Sequence, residues 1–247
     1  ILGCNQATDP DHTGWASASD VCPGEIALSY RDEAQPSVRN VALAEWDFPD
    51  GGMADAFADN GTDANIFRAE LTTTGGIGAI GFGQAGATTR AANASGWHNG
   101  SGSKAWQIRF TAAGYTNLRV SAKQYSSSAG PRDFMLQYSL TGTNWMDVAN
   151  VPQVRDNWTS GVLAGQTLPA AANNQPVVYL RWVMAGNTRV AGEPVEVASA
   201  GNTRIDDIRI VGDTLGVRVI RTWTASNACG NRARCEQTIV VVAGAVP

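Results

Sequence analysis

The chain has 247 residues, enough for one large all-β domain or two ordinary ones, with 43% hydrophobic residues to build a core. Charged residues reach only 16%, against roughly 25% in typical soluble domains, while 27 Gly and 10 Pro point to short strands joined by many turns. A net charge of −4 and a pI of 5.2 offer no basic field for a phosphate backbone or an anionic membrane surface, and no apolar run approaches the ~18 residues of a membrane span.

In chain order, the first landmarks are Cys4 and Cys22, followed by a long cysteine-free stretch up to Cys229 and Cys235. Between them, alternation of apolar and polar residues predicts strands over 41–48, 106–110, 118–123, 134–139, 177–184 and 205–211. Turn clusters such as Thr141-Gly142-Thr143-Asn144 and Ala185-Gly186-Asn187 separate them. Residues 53–57 could form one helical turn at most. The glycine-rich stretch 75–86 has no lysine and no helix after it, so it lacks the parts of a phosphate-binding loop. Strand parity places Phe134, Leu136 and Tyr138 on the core face and Met135 and Gln137 on the other; it likewise separates Arg181 from Leu180 and Trp182.

Four cysteines in a charge-poor chain favour disulfides, hence an oxidising compartment, over zinc, because the spacings are not of the CxxC kind. Three pairings are open. Local pairing would staple each end to itself. Cross-pairing would join the two ends into one domain with the middle inserted.

The ends resemble a bacterial hyalin-repeat-like module of immunoglobulin-like fold. The likeness is carried by Gly3-Cys4-Asn5, Ser19-Asp20-Val21-Cys22-Pro23-Gly24 and Leu28-Ser29-Tyr30-Arg31-Asp32 in the first half, and by Thr222-Trp223-Thr224-Ala225-Ser226-Asn227-Ala228-Cys229-Gly230-Asn231 with Cys235-Glu236-Gln237 in the second. The resemblance implies bridges Cys4 to Cys235 and Cys22 to Cys229. Residues 1–36 and 214–247 then form one discontinuous sandwich, and 37–213 a second, inserted one. The insert is similar to galactose-binding-like jelly rolls appended to secreted multidomain bacterial proteins, through Glu45-Trp46-Asp47-Phe48 at its opening, Phe134 to Ser139 with Trp145, and Arg204-Ile205-Asp206-Asp207-Ile208 at its close.

Two sets of candidate site residues follow. Because one of two neighbouring strand residues must face inward, Asp206-Asp207 calls for a partner, and Glu45 and Asp47 on the first strand are the companions. Hard oxygen ligands of this kind suit a structural calcium ion; the competing reading pairs Asp206 or Asp207 with Arg204 or Arg209, or with backbone amides. Among eight tryptophans, Trp46, Trp106, Trp145, Trp182 and Trp223 fall on or beside strands and are expected in the cores, whereas Trp15, Trp97 and Trp158 lie in polar loops. An exposed aromatic face can stack on a pyranose while guanidinium and amide groups hold the hydroxyls. Trp97, Tyr125, Arg132, Trp158 and Arg181 are the expected polysaccharide-facing set. Only His12 and His98 are available as bases, and neither lies in a nucleophile motif. The sequence thus reads as a secreted, non-catalytic carbohydrate-binding module within a larger extracellular or cell-surface protein, with a structural or adhesive spacer as the alternative and a glycan lyase or hydrolase as a third reading.

Overall fold

The structure, a computed structural model, describes residues 2–3, 7–21, 23–36, 38–50, 52–192 and 195–242. It divides the chain into two compact units: residues 1–39 with 214–247, and residues 40–213. Among the described residues, sixteen strands account for nearly all the regular structure. They run β1 (Leu2–Gly3), β2 (Ala27–Gln35), β3 (Val41–Trp46), β4 (Asn60–Gly61), β5 (Glu70–Thr74), β6 (Gly81–Ala85), β7 (Arg90–Ser95) and β8 (Ala105–Phe110). After these come β9 (Tyr115–Ser126), β10 (Phe134–Ser139), β11 (Met146–Asn150), β12 (Gly161–Thr167), β13 (Val178–Met184), β14 (Asn202–Thr214), β15 (Val217–Ser226) and β16 (Arg232–Val242). The one α-helix among the described residues is a single turn, α1 (Pro10–Thr13), capped by Asp9.

The first unit holds one four-stranded sheet in the order β1-β16-β15-β2. Parity sorts β15 and β2: Arg221 stands opposite Asp32, and Trp223 opposite Tyr30. On this face the layer covering the sheet is the segment around α1 rather than a second sheet. Arg221, with no exposed surface, fixes that segment. Its Nε and Nη2 donate to the Asp32 carboxylate, both at 2.7 Å, its Nη1 donates to Thr13 Oγ1 at 2.7 Å, and its Nη2 also reaches the Thr8 carbonyl. The guanidinium lies 4.3 Å from the Tyr30 ring centroid, and Trp15 packs against Trp223 at 5.7 Å. A guanidinium makes these contacts together because it carries five donors in a rigid plane with an aromatic-compatible face.

The second unit is a β-sandwich. One sheet has the order β11-β10-β13-β8-β5; the other has seven strands, β12-β9-β14-β3-β4 with β7 also on β14 and β6 on β7. The opening and closing strands of this unit are neighbours, with Trp46 opposite Ile208 and Glu45 opposite Arg209. Between the sheets lie Trp46, Trp97, Trp106, Trp182, Phe48, Phe134 and Leu136, all essentially without exposed surface. Each aromatic of this size removes about 150–250 Å² from water, so these rings are a large part of the driving force for the unit. Trp106 also crosses between sheets, its Nε1 donating to Thr203 Oγ1 at 3.4 Å.

Cys229 is disulfide-bonded, and its expected partner Cys22 lies outside the described residues, as does Cys4. Cys235 is a free, exposed thiol; the bridge expected from Cys4 to Cys235 rests on Cys4, which lies outside the described residues. Cys235 stands opposite Trp223 near the start of β16, whereas β1 pairs with the far end of that strand, Gly3 beside Val242.

Candidate functional site

The five-stranded sheet has one face in the core and one outside, and strand parity assigns every residue to one of them. Leu136, Trp182 and Trp106 form one inward row, and Tyr138, Leu180, Ile108 and Leu71 the next. The outward row between them is polar. Asp147, Gln137, Arg181, Gln107 and Thr72 are successive cross-strand partners on β11, β10, β13, β8 and β5, and so make a single line across the whole sheet. The neighbouring row runs Ser139, Tyr179, Arg109, Glu70.

The line is internally wired. Asp147 Oδ1 accepts from Gln137 Nε2 at 2.6 Å, and Gln137 Oε1 accepts from Arg181 Nε at 2.7 Å, which fixes the orientation of the amide. The Arg181 guanidinium lies 4.2 Å from the centroid of the Trp145 ring. Burial pulls the Arg181 pKa below the usual guanidinium value and the Asp147 charge pulls it back up; the group stays charged at any physiological pH. Trp145 reaches this position from the turn after β10, where Ser139 Oγ accepts from the backbone of Thr141 (3.1 Å) and Gly142 (2.9 Å). Gly142 has φ +77°, a backbone conformation that favours glycine, and a Cβ there would press on the Tyr179 ring at 3.3 Å.

A second aromatic cluster lies on the seven-stranded sheet. Tyr125 on β9 packs against Trp158 with centroids 5.6 Å apart, and Arg204 on β14 places its guanidinium 4.8 Å from the Tyr125 ring. Trp158 is presented by a turn in which Asn157 Oδ1 accepts from the backbone of Thr159 and Ser160.

The five expected glycan-facing residues therefore do not form one surface. Arg181 lies on the outer face of the five-stranded sheet, and Tyr125 and Trp158 on the other sheet. Arg132 is held in a forked pair with Asp133, its Nη2 2.9 Å from Asp133 Oδ2. Trp97 is a correction: it has no exposed surface, its Nε1 donates to the Ala94 carbonyl at 2.9 Å, and its ring packs on Trp106 and Phe134. No ligand can stack on it. Trp145, expected in the core, is instead half-exposed over Arg181. The sequence alone does not mark Gln107, Gln137 and Trp145 as site residues by type, although the phase opposite to Trp106, Leu136 and Trp182 places the two glutamines on the outer face.

The four expected calcium ligands do not fit a cation. Glu45 pairs with Arg209 and accepts from Asn60 Nδ2 at 2.9 Å. Asp207 pairs with Lys123 at 2.8 Å and accepts from Thr88 Oγ1. Asp206, fully buried, accepts from the backbone N–H groups of Ala87 (2.6 Å), Thr88 (3.3 Å) and Asp207 (2.8 Å). Donor hydrogens already point at its oxygens, an electrostatic environment for an anion and against a metal. Burial pushes its pKa up to about 6, and the nearby Asp207 charge adds to the rise while the three amides oppose it. Asp47 is exposed. Its neighbour Asp59 caps the Asp47 and Phe48 amides and is likewise raised to about 6, by burial first. Among the described residues no group of three or more His, Cys, Asp or Glu could hold a metal ion. Of the two histidines, His12 is exposed against Asp9, whose hydrogen bond raises the His12 pKa, and His98 is an exposed loop residue.

No protein-family model matches the chain, and no curated protein matches its sequence. Carbohydrate-binding modules recur among the solved structures it resembles. One, described as CBM4, is 15% identical over 58% of this chain and 86% of that one, with a TM-score of 0.38. The C-terminal family 22 carbohydrate-binding module of Clostridium thermocellum Xyn10B is 10% identical over 70% and 95%, with a TM-score of 0.43. A β-1,2-glucanase from Parabacteroides distasonis is also similar, at 8% identity over 85% of this chain and 40% of that one, with a TM-score of 0.34. No helix of the described residues is long and apolar enough to cross a membrane.

Proposed function

We propose that the chain is a non-catalytic carbohydrate-binding module, and that the polysaccharide lies along the outer face of the five-stranded sheet. The observation that carries this reading is the unbroken polar line Asp147-Gln137-Arg181-Gln107-Thr72 beside Trp145. A saccharide offers hydroxyls at its rim and C–H groups on its faces. Amides that donate and accept, a planar guanidinium and an indole face are the groups that recognise such a surface without a covalent step. A rigid sheet holds them in fixed register, so little side-chain freedom is lost on binding.

The first unit, with its Arg221-centred network, serves in this reading as a scaffold, and the hyalin-like character of the two ends is part of the same proposal. The disulfide at Cys229 supports an extracellular location within a larger protein. Tethering such a module to other domains would raise their local concentration at the polysaccharide.

The test is a glycan array followed by isothermal titration on the whole chain. Micromolar to millimolar binding to at least one polysaccharide is expected, and Trp145→Ala should weaken it at least about tenfold, the scale of one stacking contact with its neighbours. Absence of binding to every glycan, or an unaltered affinity in Trp145→Ala, would overturn the proposal.

A further inference from the structure

Arg181 is an unusual residue to find where it is. Its flanking residues Leu180 and Trp182 are wholly buried, its own side chain is half-buried, and no carboxylate lies within ion-pair distance of it among the described residues. A partly desolvated charge without a counter-ion is unfavourable in the free protein. The surroundings do not dispose of the charge; they orient it. Gln137 occupies Nε alone, and Trp145 offers its ring beneath the guanidinium carbon and no acceptor, so the two terminal amino groups keep their donors. Asp147 is close enough to raise the Arg181 pKa, yet its hydrogen bond goes to Gln137 rather than to the guanidinium.

A second guanidinium stands diagonally from the first. Arg109 faces Tyr179 across β8 and β13, while Arg181 faces Gln107, so the two arginines are two-residue diagonal neighbours, a relation in which residues stand about 7–8 Å apart and their Cβ atoms somewhat closer. Arg109 is exposed, and although Glu70 stands opposite it on β5, the two are not in ion-pair contact. A neutral glycan would give these groups only hydroxyl acceptors. A carboxylate or sulfate presents two coplanar or tetrahedral anionic oxygens that match the fork of a guanidinium, and charge-assisted bonds of this kind are roughly twice as strong as neutral ones.

Resting on the glycan-binding reading, we infer that the ligand of this face is an acidic polysaccharide whose anionic groups, uronate carboxylates or sulfate esters, are taken by Arg181 and Arg109. The overall charge of −4 does not supply this attraction, and would oppose it at a distance. Recognition is therefore local to the two arginines.

The experiment titrates the whole chain with paired probes: polygalacturonate and alginate for carboxylates, dextran sulfate for sulfates, and dextran and β-1,4-galactan as neutral counterparts, with poly-glutamate as a polyanion that is not a glycan. At least one acidic glycan should bind about tenfold or more tightly than its neutral counterpart, and which arm does so identifies carboxylate or sulfate. Arg181→Gln should bring the acidic glycan down to the neutral level, and Arg109→Gln should reduce the preference by a smaller factor. Should Arg181→Gln fail to fold, Gln137→Glu supplies Arg181 with an internal counter-ion and is expected to remove the preference in the same way. Equal affinity for acidic and neutral glycans, preference retained in these variants, or equally tight binding of poly-glutamate would each overturn the inference. Binding to neutral glycans alone would sink it while leaving the glycan-binding reading standing; no binding to any glycan would remove both.

Discussion

The Arg221–Asp32 pair allows a prediction whose direction runs against simple hydrogen-bond counting. Arg221 donates to Asp32, Thr13 and Thr8, so deleting it removes more bonds than deleting Asp32. Yet Arg221 has no exposed side-chain surface, whereas Asp32 keeps 30%. Replacing Asp32 by Ala leaves a buried cation without its counter-charge, a change that costs about 3–5 kcal/mol in a thick protein interior. Here the guanidinium is covered by one short segment over a single sheet. Water can enter where the carboxylate stood, so a loss below that range, about 2–3 kcal/mol, is expected. Replacing Arg221 by Met keeps an apolar side chain against Tyr30 and lets Asp32 return to solvent, leaving two acceptors to be rehydrated at about 1–2 kcal/mol in total. In a unit whose total stability is on the order of 5 kcal/mol, both losses are readable by hydrogen exchange in peptides from β2 and β15 during urea titration. A larger loss in Arg221→Met than in Asp32→Ala would refute the reasoning, as would changes below about 0.5 kcal/mol in both.

Three further outcomes follow from the geometry. Asp206 is raised from 3.8 to about 6, so it contributes stability that is fully present below about pH 4 and lost as pH rises through about 6; Asp206→Asn removes this dependence, and calorimetry should find the variant gaining on the wild type between pH 4 and 7. Because Glu45 and Asp207 are paired with cations and Asp206 faces amide donors, chelator or added calcium should move the melting midpoint by less than about 1 °C, and a shift of several degrees would contradict that pairing. Non-reducing peptide mapping should link Cys229 to Cys22 and leave Cys235 open to alkylation; a peptide joining Cys235 to Cys4 would disprove the free thiol.

Much of the sandwich was legible because a strand has a period of two. The alternation in residues 134–139 separates Phe134, Leu136 and Tyr138 from Met135 and Gln137, and the structure buries the first set while placing Gln137 outside. The same rule at Leu180-Arg181-Trp182 marked Arg181 as facing away from the core. The all-β fold followed from those patterns, whereas the adjacency of the strands bearing Trp46 and Ile208 was implied by the resemblance to jelly rolls and not by the alternation.

What the sequence by itself determined was which residues lie on which side of a strand, since pleating is a local property of the backbone. It could not tell which side faces a partner, nor what a loop residue meets. Trp97 sits among glycine and asparagine and reads as exposed; the fold buries it because the loop returns over the sandwich, and Gly100, where a Cβ would lie 2.6 Å from Met184 Sδ, permits that close approach. Asp206 finds its donors 118 and 119 residues away in the turn at Ala87 and Thr88, and the line from Asp147 to Thr72 exists only once five strands are in register. Tertiary structure decides such matters because burial and charge pairing depend on distances between segments that the chain alone leaves free.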